Sequence, residues 1–148
     1  MKFKKIKFEN YRCFLDGEIT FEEHDGKNIN LIIGTNGAGK TELLFAFWWV
    51  LYGFNFKALK NKEATPYSLN SSIYKEIQSG ARESATCTVE VEIEEAGVTY
   101  IVERKAEFKK TAQSVTNKEY QSIRYYKPNY ELSLPIRDEA EVNKLLTR

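Results

Sequence analysis

The chain has 148 residues, of which 42% are apolar and 14% aromatic, enough for one domain with a packed core and against a disordered chain. Its formal net charge of +1 gives no strong bulk attraction to nucleic acid or an anionic membrane, so either would require a local patch. The cysteines Cys13 and Cys87 have no CxxC spacing and no histidine neighbour, which argues against a zinc site and for two reduced core thiols in a cytosolic protein.

The basic start, Met1 to Phe8, has no apolar segment behind it and is not read as a signal peptide. Alternation of Phe3, Ile6 and Phe8 with lysines predicts a strand over 3–8 at the sheet edge. Asp16-Gly17 predicts a hairpin turn, with the returning strand over 18–22, and Asp25-Gly26-Lys27-Asn28 predicts a second turn. Ile29 to Ile33 is an almost unbroken apolar run ended by Gly34, the pattern of a central strand buried on both faces.

Lys40 to Gly53 predicts a helix closed by Gly53 and apolar all round, hence buried on nearly every side, with Trp48 and Trp49 in the core. Its run from Leu43 to Tyr52 is far shorter than the roughly 20 residues that span a bilayer, so a cytoplasmic protein without membrane contact is expected. Residues 54–83 read as a polar connection with a short helix near 73–78. Thr86 to Glu94 alternates cleanly, Glu95-Ala96-Gly97 turns, and Val98 to Phe108 returns, predicting an antiparallel hairpin with one wet face. Residues 109–118 read as a hairpin tip, 120–126 as a strand, Pro128-Asn129 as a turn, 131–136 as a short strand and 138–146 as the start of a helix. Four segments of one α/β unit result: 1–53, 54–83, 84–136 and 137–148.

The motif that carries chemistry is Gly34-Thr35-Asn36-Gly37-Ala38-Gly39-Lys40-Thr41, which fits GxxxxGK[ST] and sits between the apolar run and the helix. Glycines let the main chain approach phosphates, successive N–H groups form an oxyanion nest, and the helix N-terminus adds positive field. Lys40 would place its ammonium between the β- and γ-phosphates of ATP, and the Thr41 hydroxyl would ligate Mg²⁺.

With the motif in its flanks, FENYRCF…GEITF…INLIIGTNGAGKTELLFAFWWVLYG, the chain resembles the N-terminal lobe of the SMC, RecF and RecN group of ABC ATPases, and more narrowly the DndD-like ATPases of DNA modification and phage defence. ATCTVEVEIEEAGVTYIVERK is similar to the strands that follow in that group, and the resemblance covers roughly residues 1–105. It implies a P-loop fold of ABC-head type with an added antiparallel sheet, ATP and Mg²⁺ as cofactors, and nucleotide contacts from Arg12, Gly34, Asn36, Gly37, Ala38, Gly39, Lys40, Thr41 and Glu42. Glu42 departs from the second Ser or Thr that many relatives carry, and a carboxylate there would repel phosphate unless turned away. The placing of an antiparallel strand pair before the loop fits an ABC-type head better than a small nucleotide kinase, and no arginine-rich lid supports the kinase alternative.

Hydrolysis in that group also needs a glutamine loop, a signature segment and an apolar strand ending in Asp-Glu. Leu132 to Glu139 imitates the last, but Pro135 cannot donate within a central strand. Gln78, Gln113 and Gln121 lie in exposed-looking segments. The expectation is therefore an ATP-binding N-terminal half whose partner is a C-terminal lobe or a second head; alternatives are half of a split ATPase or a non-catalytic nucleotide-binding module. Lys57, Lys60 and Lys62, and Lys105, Lys109 and Lys110, read as solvated faces, with DNA contact the competing reading. His24 reads as a surface residue, and Glu90, Glu92 and Glu94 as a solvent-facing stripe.

Overall fold

A computed structural model describes residues 1–27, 29–53 and 68–126, together with Ala140 and Lys144. The described chain forms β1 (Lys2–Tyr11), β2 (Phe14–Thr20), α1 (Lys40–Tyr52), α2 (Ser71–Ser79), β3 (Ser84–Glu95), β4 (Val98–Lys110) and β5 (Val115–Tyr126). The strands make one five-stranded sheet in the order β2-β1-β3-β4-β5, antiparallel throughout. Period-two patterning sets its faces: Cys87, Val89, Val91, Ile93, Val102, Ala106, Phe108 and Ile123 are buried with Leu43, Ala46, Trp49 and Val50 of α1 and Ile73 and Ile77 of α2 in one core. This is the mixed α/β class read from the sequence.

The other face of the sheet is charged and laced with ion pairs, including Lys7–Glu90 at 3.8 Å, Lys4–Glu94 at 3.8 Å and Arg124–Glu90 at 2.7 Å. Glu90, Glu92 and Glu94 are thus half-buried, and Glu90 and Glu94 are paired rather than merely wet. Among the described residues no group of three His, Cys, Asp or Glu could hold a metal, and no helix is long and apolar enough to cross a membrane.

Several expectations are corrected. β1 is interior to the sheet and β2 is the edge. The first turn falls at Arg12-Cys13, not at Asp16-Gly17, because β1 stays in register with β2 as far as Tyr11↔Phe14, which places Glu9 opposite Asp16 and Phe8 opposite Gly17. Ile29 to Ile33 is in no strand, and Leu31 and Ile33 are 82% and 84% exposed. A doubly buried strand needs neighbours on both sides, and none of the described strands pairs with this run. Helix α1 has one open side as well: Leu44, Trp48 and Tyr52 are exposed, so Trp48 is not core. Cys13 is exposed, not a core thiol. Residues 54–67, with Lys57, Lys60 and Lys62, and the elements expected at 128–129, 131–136 and 138–146 lie outside the described residues, apart from helical Ala140 and Lys144.

Gly53 ends α1 as expected, taking φ 69° and donating its N–H to Trp49 O. Gln121, expected to be exposed, is half-buried and closes the same helix end, its Nε2 donating to Val50 O at 2.7 Å and Leu51 O at 3.2 Å.

Burial raises the pKa of the Cys87 thiol and of the Tyr11 hydroxyl well above their ordinary values. Between the unfolded and folded pKa values the folded state therefore binds more protons, and stability falls as pH rises. Thermal melts are expected to be level near neutrality and to decline above the ordinary thiol value of 9.0, less steeply in Cys87→Ala. A flat wild-type profile to about pH 11, past both ordinary values, would contradict this.

Candidate functional site

Loop 34–41 joins the exposed apolar run to the N-terminus of α1. Gly37 and Gly39 take φ 83° and 88°, a left-handed conformation that side chains disfavour. Ala38 N donates to Thr35 O at 3.2 Å, closing the loop on itself. Gly39 is the N-cap of α1, and among the described residues no side-chain cap bond closes the helix's first turn, so the first-turn N–H groups, which lack intrahelical acceptors, stay available to an anion. A Cβ on Gly39 would lie 3.0 Å from Cys13 Sγ and 3.3 Å from the Phe14 ring, so the β1–β2 turn forms a floor under the loop.

The Lys40 ammonium curls over this loop and donates to Gly34 O at 2.6 Å and Thr35 O at 2.8 Å. Lys40, Thr41, Gly34, Asn36, Gly37 and Ala38 are all exposed. Backbone nest, open helix end and ammonium fit a triphosphate: three sources of positive potential face solvent on one short loop.

Arg12, placed 28 residues ahead of Lys40 in the chain, comes to the same helix end. Its Nη1 meets Glu42 Oε2 at 2.5 Å, and its guanidinium lies 5.2 Å from the centre of the Phe45 ring and 5.7 Å from that of Tyr11. Glu42, the residue out of pattern, is thus turned onto Arg12. Sequence reasoning named both residues but missed the pair. Although Cys13 is exposed as a residue, partial desolvation of its thiol, whose Sγ rests against Gly39, and next the Glu42 carboxylate, raise that thiol from its ordinary value.

A second group went unread in the sequence. Ser68, Leu69 and Asn70 are buried and grip the β1–β2 turn: Arg12 N donates to Ser68 O at 2.9 Å, Asn70 N to Asn10 O at 2.8 Å, and Asn70 Nδ2 to Arg12 O at 2.6 Å. The only available signal was Asn70-Ser71-Ser72, a helix N-cap pattern, which says nothing of a partner 58 residues away.

A family model described as an AAA domain matches residues 5–146. The chain is 34% identical over 73 residues to the DNA replication and repair protein RecF of Desulforamulus reducens, covering 49% of this chain and 19% of that protein. It is 35% identical over 105 residues to the DNA double-strand break repair Rad50 ATPase of Methanococcus maripaludis, covering 71% of this chain and 9% of that protein. The chain therefore spans a fifth or less of the length of these curated relatives. A solved structure described under "Structural biochemistry of ATP-driven dimerization and DNA stimulated activation of SMC ATPases" is similar over 99% of this chain and 78% of its own, with a TM-score of 0.55 and 14% identity, a likeness of fold alone.

Proposed function

The chain belongs to the AAA domain family, and from that premise we propose that it is the ATP-binding N-terminal lobe of an SMC/RecF-like ABC ATPase head that binds ATP·Mg²⁺ on residues 34–41. The observation that carries this is the loop itself: left-handed glycines at 37 and 39, an uncapped helix start, and an ammonium whose hydrogen-bond acceptors are the loop's own carbonyls. Lys40 would leave Gly34 O and Thr35 O for the β- and γ-phosphates, Thr41 would ligate Mg²⁺, and the amides of Asn36 to Thr41 would hold the phosphate oxygens. Arg12 would supply a further positive charge.

Hydrolysis would be completed by a C-terminal lobe and a second head. The exposed run Ile29 to Ile33 and the open side of α1 support a surface for that lobe. Between them lies a groove of about 450 Å³ lined by Phe3, Phe21, Leu44, Phe47, Trp48 and Tyr52, an apolar face that a soluble domain rarely leaves bare. The segments 1–53, 54–83, 84–136 and 137–148 would then be parts of one lobe. The relatives' names support a role in DNA repair, with which a cytoplasmic location would agree; a DndD-like role in DNA modification or phage defence is the narrower reading. The test is calorimetry together with phosphate release. The chain alone should bind ATP·Mg²⁺ with negligible turnover, and addition of a C-terminal lobe should raise turnover. Absence of ATP binding would remove the reading.

Glu42→Gln is expected to tighten ATP·Mg²⁺ binding about fivefold, because it removes a like charge worth about 1 kcal/mol at partly screened range and releases Arg12. Competition binding against the wild type checks this, and weaker binding by the variant would mean that Glu42 orients Arg12 rather than competing for it.

A further inference from the structure

We propose that Asn70 is a positioning residue that sets the place of Arg12 and of the floor beneath the phosphate loop. For its effect on ATP the proposal rests on the reading above; for its effect on the turn it does not. Asn10, at the end of β1, and Arg12, in the turn, take φ 53° and 48°, a left-handed conformation that asparagine tolerates but that an arginine rarely keeps unless its surroundings hold it. The hold comes from segment 68–70. Asn70 makes three bonds at once: its N–H to Asn10 O, its Nδ2 to Arg12 O, and its Oδ1 accepting from Ser72 N at 3.0 Å.

The third bond is the N-cap of α2, which Asp or Ser would serve as well. The bond to Arg12 O comes from the amide Nδ2, a donor that an aspartate lacks and that the shorter serine hydroxyl does not place as far out. Asn70 is 9% exposed, so water is a poor substitute for that donor. With the turn fixed, the Arg12 guanidinium reaches Glu42 and the Phe45 ring, and Cys13 and Phe14 lie against Gly39. Asn70 thereby links the N-terminus of α2 to the N-terminus of α1.

The test uses Asn70→Asp, which keeps a capping oxygen and loses the donor, and Asn70→Ser, whose hydroxyl can cap but sits one atom short of the amide nitrogen that reaches Arg12 O. Thiol labelling follows the turn without nucleotide, since Cys13 is exposed and Cys87 buried. Both variants should label Cys13 several-fold faster while Cys87 stays protected, and should bind ATP·Mg²⁺ about fivefold more weakly, the size of one lost hydrogen bond. In an Arg12→Ala background Asn70→Ser should weaken ATP binding little further, because its effect on affinity acts through the Arg12 side chain, while its effect on the floor is read by Cys13 labelling. Unchanged Cys13 labelling with unchanged affinity overturns the proposal, as do fully additive losses or a Cys87 that labels as fast as Cys13. If Lys40→Ala binds ATP as the wild type does, the nucleotide reading fails on its own. Faster Cys13 labelling in the Asn70 variants then still supports the positioning role, and an unchanged rate still overturns it.

Discussion

Lys40→Ala is expected to weaken ATP·Mg²⁺ binding about 30- to 150-fold, the equivalent of about 2–3 kcal/mol for a charge-assisted bond to phosphate. The same substitution should cost little stability. Lys40 is exposed, and its two bonds tie carbonyls of the same short loop, which water can satisfy in its absence. Affinity and stability thus separate at this residue, and calorimetry beside a thermal melt reads both. Equal affinity in wild type and variant would remove the phosphate-loop assignment; a large drop in melting temperature would make Lys40 a structural residue first.

Trp49→Ala should have the opposite signature, a loss of about 3–5 kcal/mol of stability. Trp49 is 2% exposed and stacks on Tyr11 with ring centroids 5.4 Å apart, joining α1 to β1 at the strand end that carries the Arg12 turn. Among the described residues its buried indole Nε1 has no hydrogen-bond partner, and a buried donor left so costs stability. Trp49→Phe removes that unpaired donor and keeps an aromatic ring against Tyr11, so its cost should stay below about 1.5 kcal/mol. Denaturant unfolding of the three proteins checks the order. A Trp49→Ala loss below about 1 kcal/mol would mean that the α1–β1 contact is not a main support of the core.

Local signals were legible in the sequence, and their strength tracked how local the cause is. The glycine pattern and the closing Gly53 bounded α1 to within a residue. Strict alternation in Thr86 to Glu94 gave the β3–β4 hairpin and its buried face, because side-chain direction in a strand is fixed by parity alone. Readings that depended on what lies across the fold failed. Ile29 to Ile33 has the composition of a buried strand, but composition cannot supply the neighbours that bury it. Asp16-Gly17 has turn chemistry, yet pairing along β1 carried both residues into β2.

At the site the same division holds. The phosphate loop is contiguous and was read directly. The Arg12–Glu42 pair joins residues 30 apart, and Asn70 reaches Arg12 across 58; no periodicity encodes either. Gln121 looked like a surface glutamine because β5 alternates weakly, while its role follows from facing Arg104 in the register and thus the end of α1.

The central claim is that main-chain amides of residues 34–41 cradle a triphosphate, and amide NMR during titration with ATP·Mg²⁺ addresses it most directly. The amides of Gly37, Ala38, Gly39, Lys40 and Thr41 should shift first and furthest and saturate together, with Arg12 and Glu42 following and the charged face of the sheet silent. Shifts confined to that charged face, or a loop that stays still while ATP is in excess, would contradict the account.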